Sequence, residues 1–401
     1  MTDGLGSWAA VSYADNAING VPDCVNGELL RNTLNTDWQL RGFVISDAGA
    51  VGHSSDVPSN PPGQNYTHGL LGAAVAALIN GTTVSIEGSG APAYETQLLP
   101  ALAQGLITLA DLQAAAKRAL LPRFLVGLYD PPELVPWNAI PGSVIESPAH
   151  HALARRAAAE SYVLLVNRNR TLPLRSVAEG GPRTVAVVGL ANDASPSIGR
   201  YSGHPATSTT VWEGVSAAAK AGGVTPLLGV GTGASAIAAA KRADVAVVVL
   251  TGEMEGESHD RQKLGLPAGQ LTFLKALLAT KVPLVVCTIS GGAVDVSLAK
   301  EEAAAVVAMY SGGMEAGAAL GDVLFGAVNP SGALAATIYK SAWANASDFL
   351  SMAMRTPPGR THRYLTAEVR QRGVLSTVFM LKIIIIQYQD RLRANIGKNS
   401  F

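Results

Sequence analysis

Two acidic positions carry chemistry that their surroundings make specific. Asp47 follows Phe43-Val44-Ile45, an aromatic and β-branched run that reads as a buried strand, and Gly49 opens the loop beyond it. In parallel α/β proteins, ligands bind and reactions occur at the C-terminal ends of strands. A carboxylate there is a candidate nucleophile or base. The same residue type also forms turns and caps helices, and the run alone leaves both readings open. The second position is the segment Thr251-Gly252-Glu253-Met254-Glu255-Gly256-Glu257-Ser258-His259-Asp260-Arg261, which follows the apolar run Val245–Thr251. Three glutamates within five residues place like charges close together, and Arg261 adds an opposing charge nearby. An acidic surface loop explains the same composition.

Alternating elements must position these groups. Ala9 to Ser12 reads as a short strand, Glu28 to Leu34 has helical spacing, and the strand ending at Asp47 follows. Leu70 to Asn80 predicts a helix ended by Gly81, Thr82 to Ile86 another strand, and Leu98 to Leu128 two helical segments. Strand-helix alternation of this kind indicates parallel strands with crossover helices. The proline-studded stretch 131–148 reads as a linker. Beyond it, a helix is expected from about Ala149 to Val166. Strands are expected at Thr184–Gly189, Val245–Thr251, Leu284–Ile289 and Ala304–Met309, with Ala-rich helical stretches such as Ala234 to Arg242 between them. The resulting fold class is α/β. Its boundaries are 1–130 for a first domain, 149–340 for a second with a mostly parallel sheet, and 341–401 for an irregular tail.

With 401 residues the chain has room for two domains, and its 48% hydrophobic and 15% charged composition supports large cores. Thirty basic and thirty acidic side chains cancel, so the basic excess favoured by nucleic acid or an anionic membrane is absent, and neither partner is expected. Cys24 and Cys287 lie far apart and suggest no disulfide framework. The first seven residues lack the basic-then-apolar pattern of a signal peptide. The apolar stretch Val378 to Ile386 is broken by Lys382 and too short to cross a bilayer. Asn-x-Ser/Thr sequons at Asn65, Asn80, Asn169 and Asn345 arise readily by chance, so the compartment stays open. Gly229, Gly231 and Gly233 lack the following Lys-Ser/Thr of a phosphate loop and read as a flexible turn. Neither a Gly-x-Ser-x-Gly elbow nor a His-Glu-x-x-His motif occurs, and the seven histidines are scattered, so no metal site and no cofactor is expected.

Several ordered blocks resemble glycoside hydrolase family 3, and within it the β-xylosidases and their β-glucosidase-like relatives. They begin with Ser12-Tyr13, Asn16-Ala17-Ile18-Asn19-Gly20-Val21-Pro22, Cys24, Asn26, Glu28-Leu29-Leu30 and Trp38, and lead into Gly42-Phe43-Val44-Ile45-Ser46-Asp47. Later blocks are His150, Leu153-Ala154, Ala157-Ala158, Glu160-Ser161, Val163-Leu164-Leu165, Asn167, Thr171-Leu172-Pro173-Leu174, Asn329-Pro330-Ser331-Gly332, Pro358-Gly359-Arg360-Thr361 and Arg363-Tyr364. The resemblance implies the C-terminal part of a (β/α)8-type barrel followed by an α/β sandwich domain, with an active site between them. It implies Asp47 as the nucleophile at the seventh barrel strand. It places the acid/base on Glu257, with Glu255 as the close alternative and Glu253 a weaker one. Tyr13 and Arg261 are implied as substrate-binding residues, although Tyr13 also reads as an ordinary packing tyrosine. Arg360 and Tyr364 are expected to be structural. The implied activity is a retaining hydrolase of β-linked xylosyl or glucosyl residues in oligosaccharides or glycosides. Such an enzyme needs an ionised attacking carboxylate and a protonated donor about 5–5.5 Å apart, their pKa values pushed in opposite directions.

The chain also departs from the family. A complete barrel has eight strands and typically about 250 residues, whereas 130 residues precede the linker and match roughly strands six to eight. Ala48 stands where relatives commonly carry Cys or Trp, and the block Asn80 to Gly88 is less acidic than the family's. Three parallel strands leave two open edges, so the first domain is expected to be loose, aggregation-prone or self-associating through those strands. Alternatives to an active hydrolase are an inactive remnant and a carbohydrate-binding module on the second domain.

Overall fold

The run Phe43-Val44-Ile45 and its helical neighbours fold as strand–helix alternation requires. The computed structural model describes residues 11–13, 16–58, 63–87, 92–199, 201–253, 261–346, 351–357, 359–365 and 375–376. The chain divides into two units, Met1–Pro141 and Gly142–Phe401. In the first, β1 (Val11–Tyr13), β2 (Val44–Ala48) and β3 (Val84–Ile86) form a parallel sheet with β2 in the middle. Leu30 and Leu34, one turn apart on the π-wound helix Glu28–Asp37, bury against Val44. Helix α1 (Gly69–Asn80) ends at Gly81, whose φ of +117° suits glycine. Its buried Ala73, Ala74 and Ala77 pack with Cys24, Val25, Val51 and Ala93. Helix α2 (Ala93–Ala103) starts under the Glu87 carboxylate, which accepts the Ala93 and Tyr94 N–H groups at 2.9 Å each. Helix α3 (Leu109–Leu125) carries a Thr108/Asp111 capping box but buries no residue; Leu109 and Phe124 are each 58% exposed. Among the described residues, neither β1 nor β3 pairs with a further strand in this sheet.

The second unit opens with α4 (Pro148–Ser161), its N-terminus marked by Ser147 and by Pro148 at the first helical position. Six strands follow: β4 (Val163–Asn167), β5 (Thr184–Gly189), β6 (Thr225–Val230), β7 (Val245–Thr251), β8 (Leu284–Ile289) and β9 (Ala305–Ala308). Their spatial order is β4-β9-β8-β7-β5-β6, parallel except for the antiparallel β4–β9 pair. Both faces are covered, which explains the continuous apolar runs of β5, β7 and β8. Val185, Val187, Val247, Val249, Val285 and Cys287 face one core, with α4, α5 (Val211–Ala221) and α9 (Ala316–Leu324). Ala186, Val188, Val248, Leu250 and Val286 face the other, with α6 (Ala234–Lys241), α7 (Ala268–Leu278) and α8 (Ser297–Glu302). Glycines let α5 and α9 touch backbone to backbone: a Cβ on Gly214 would lie 1.9 Å from the Gly317 carbonyl oxygen.

Three local expectations change. The helix expected to run through Val166 stops at Ser161. Tyr162 is extended (φ −65°, ψ 139°), and Val163–Asn167 instead pairs with β9 at the sheet edge. The run is apolar at nearly every position, so it has no helical stripe of its own, and the β9 partner decides its state. Gly229 is not in a turn but inside β6; close contact with Ala236 of α6 explains the missing side chain, because a Cβ would approach its Cα to 2.7 Å. Beyond Ser341, the described residues include a helix, Ser341–Ala346, and a helical turn, Thr361–Tyr364. The proline-studded connector forms short 3-10 turns, and the boundary between units falls within it, after Pro141. Among the described residues no helix is long and apolar enough to cross a membrane.

Candidate active site

In the first unit, hydrogen bonds from the neighbouring strand fix the end of β2. The Thr83 hydroxyl both accepts the Val44 N–H and donates to the Val44 carbonyl, each at 2.9 Å. The buried Ser46 hydroxyl accepts the Ile86 N–H at 3.0 Å. Gly49 then turns the chain at φ +78° and donates its N–H to the Ile86 carbonyl at 2.8 Å. Between these fixed points Asp47 is exposed, at the C-terminal end of the central strand, with Oδ1 accepting the Ala48 N–H at 2.7 Å. The β1 register sets Tyr13 beside Ser46, so its backbone reaches the same sheet edge as Asp47.

In the second unit the chain passes from β5 outward to β6, then returns across β5 to β7 and continues to β8 and β9. The strand order therefore reverses between β5 and β7. Helix α5 leaves β5 toward one face and α7 leaves β7 toward the other, so the loops at their C-terminal ends diverge. Such a divergence is where open α/β sheets bind ligands. A cavity of about 890 Å³ lies there. Its walls are Asp193, Ser195 and Gly199 after β5; Thr251 at the end of β7 with Gly252 and Glu253 just beyond; Ser290, Gly291 and Gly292 after β8; and Ser311 after β9.

Each wall is braced locally. Gln270 of α7 clamps the end of β7: its Oε1 accepts the Thr251 N–H at 2.8 Å, and its Nε2 donates to Thr251 Oγ1 at 3.0 Å. Gly252 donates its N–H to the Ile289 carbonyl at 3.2 Å, and a Cβ there would sit 3.0 Å from Val294 Cγ2. Asp193 Oδ1 accepts the Ser195 N–H at 2.8 Å, and the Ser290 hydroxyl donates to the Gly292 carbonyl at 2.7 Å. Glu253 is half-buried at the cavity, and the Arg261 guanidinium donates to the Ala293 carbonyl at 2.6 Å. Glu255 and Glu257 lie in 254–260, outside the described residues. The cavity thus offers two carboxylates, several hydroxyls and open glycine backbone, groups suited to a polyhydroxylated ligand and to proton transfer. The walls after β5 and β8 were absent from the sequence reading, although both runs end in Asp, Ser or Gly and obey the rule that singled out Asp47. No group of three or more metal-ligating side chains occurs among the described residues. Arg360 donates to the Ser351 carbonyl at 2.7 Å, and Arg355 lies 5.4 Å from the Tyr364 ring centre.

Residues 162–368 match the model of the glycosyl hydrolase family 3 C-terminal domain. The chain belongs to this family. Among its family 3 relatives, Beta-D-xylosidase 1 of Arabidopsis thaliana is 33% identical over 91% of this chain and 47% of its own length. The probable exo-1,4-beta-xylosidase xlnD of Neosartorya fischeri is 34% identical over 91% of this chain and 47% of its own. The periplasmic beta-glucosidase of Salmonella typhimurium is 31% identical over 81% and 45%. The solved exo-beta-xylosidase XlnD, in complex with a xylobiose aziridine probe, superposes with a TM-score of 0.77 at 25% identity, covering 92% of this chain and 48% of that one. The b-glucosidase EmGH1 of Erythrobacter marinus gives 0.71 at 28% identity, covering 86% and 48%. The chain therefore spans about half the length of these family 3 relatives.

Proposed function

We propose that this chain carries the C-terminal part of a (β/α)8-type barrel and the sandwich domain of a retaining β-glycoside hydrolase. Asp47 is its nucleophile, and Glu257, or alternatively Glu255, its acid/base. The substrates are oligosaccharides or glycosides ending in β-linked xylose or glucose, as the names of the relatives suggest, with Tyr13 and Arg261 contributing to binding. One observation carries this reading: Asp47 stands exposed at the C-terminal end of the central strand of a parallel sheet, on a turn that hydrogen bonds hold from both sides. A carboxylate so placed can attack an anomeric carbon while a carboxyl about 5–5.5 Å away protonates the leaving oxygen. Water then resolves the glycosyl ester, the second residue having become a base.

The test is turnover of 4-nitrophenyl β-xyloside and β-glucoside by the full chain. Asp47→Asn is expected to reduce hydrolysis to background, and a 2-fluoroxyloside is expected to add one glycosyl mass to Asp47. Turnover that survives Asp47→Asn ends the assignment. A second reading, a carbohydrate-binding module, is favoured by the cavity, whose walls all come from the second unit. Xylose or glucose binding that Asp193→Ala abolishes, with no turnover, selects it.

A further inference from the structure

We propose that Asp295 is a positioning residue: it fixes the stem, residues 261–265, on which the chain returns from the glutamate-bearing segment to α7. The catalytic consequence rests on the hydrolase reading above. Three segments distant in sequence meet at this one residue. Its backbone N–H donates to the Leu264 carbonyl at 2.8 Å, and Gly265 bridges to it in parallel. Its Oδ1 accepts the Ser297 N–H at 3.0 Å and the Ser297 hydroxyl at 2.5 Å. Its Oδ2 accepts the Ser341 N–H at 2.7 Å and the Ser341 hydroxyl at 2.9 Å. Ser341 lies so close to the stem that a Cβ on Gly265 would come within 2.9 Å of its hydroxyl.

The same short stretch holds both ends of the glutamate-bearing segment. Gly252, where the chain departs, bonds to Ile289; Arg261, where it returns, bonds to Ala293. Residues 289–295 are thus a common footing, and the Asp295 carboxylate pins its far end to Ser297 and Ser341. Capping the short helix α8, which begins at Ser297, would account for Oδ1 alone. The bonds to Ser341 and Leu264 reach beyond any local cap and tie the footing to the stem. Burial works to raise the Asp295 pKa, but the bonds from Ser297 and Ser341 together outweigh it and hold the carboxyl below its ordinary value, so it is a charged acceptor at neutral pH.

Trypsin cleavage of the native full chain tests this directly, because Arg261 and Lys263 lie in the stem while Lys275 lies in α7. In Asp295→Ala, cleavage after Arg261 and Lys263 is expected to accelerate about tenfold or more with Lys275 unaffected, the signature of local opening. The milder Ser341→Ala should show a smaller rise, which keeps the test open if Asp295→Ala fails to fold. Unchanged stem cleavage, or an equal rise at all three sites, overturns the proposal. Turnover separates it from the hydrolase reading. Asp295→Ala should impair hydrolysis of methyl β-xyloside and spare the 2,4-dinitrophenyl glycoside, whose leaving group departs without a proton. Asp295→Asn, which keeps one acceptor oxygen, should restore part of the loss. Equal impairment of both substrates counts against positioning. If the wild-type chain hydrolyses neither substrate but the stem still loosens, the hydrolase reading fails and the role of Asp295 stands.

Discussion

Asp47 owes its candidacy to its neighbours more than to its own chemistry. Ser46 is turned inward to Ile86, Thr83 grips Val44, and Gly49 supplies a backbone conformation that other residues resist. Replacing Gly49 with alanine should therefore cost about 1–2 kcal/mol, the penalty of a left-handed non-glycine residue, read as a lower urea midpoint for the first unit. Asp295 makes a prediction about pH. Its carboxyl titrates below the ordinary value in the folded chain and near about 3.9 when unfolded. Its contribution is complete above the unfolded value and is lost as pH falls through the folded one. The stability gap between wild type and Asp295→Asn should stay constant from neutral pH down to about 5 and close below about 4, as urea titrations at each pH will show. A gap that widens on acidification contradicts the direction of the shift.

At the scale of elements, small residues and caps decide how closely pieces approach. Gly214 and Gly317 put α5 and α9 in backbone contact, so Gly214→Ala must push the helices apart. A loss of about 1–3 kcal/mol or more is expected from such overpacking, visible in thermal denaturation of the second unit. Glu87 caps α2 through two backbone N–H groups. Glu87→Ala should cost about 0.5–2 kcal/mol and increase hydrogen exchange in the first turn of α2 while leaving the second unit unchanged. The strands β5, β7 and β8 were legible because each is a continuous β-branched run. Val163–Asn167 was not, because an apolar stretch beside a helical pattern carries no period of its own, and only antiparallel pairing with β9 makes it a strand. Thr225–Val230 was hidden by its glycine and proline, which β6 tolerates because it lies at the sheet edge, with α6 packed close against Gly229.

For the whole molecule, the two units differ in how fully their sheets are covered. The second buries both faces of its four inner strands, β9, β8, β7 and β5. The first has a three-stranded parallel sheet whose outer edges are unpaired among the described residues, and a helix α3 with no buried residue. The first is expected to open more readily, and the two cysteines report on this separately. Cys24 lies in the first core and Cys287 in the second, where burial pushes its thiol up to about 12. In a thiol-exchange assay near pH 8, Cys24 should react well before Cys287, which should appear only on global unfolding. Simultaneous labelling would sink this difference in stability. Limited proteolysis should likewise nick residues before Pro131 first and leave the second unit as the stable core.

By itself, the sequence determined that the chain is α/β, that a carboxylate ends a buried strand at Asp47, and that an acidic segment follows another at Thr251. Each of these is a local pattern: a hydrophobic run, its period, and the polar residue that stops it. Only the tertiary structure decided the order β4-β9-β8-β7-β5-β6, and with it the reversal between β5 and β7 that opens the cavity. It likewise decided that Asp295 meets Leu264 and Ser341. The physical reason is distance along the chain. Periodicity and caps act within a few residues, whereas strand order and a shared carboxylate depend on long-range packing that no single segment encodes.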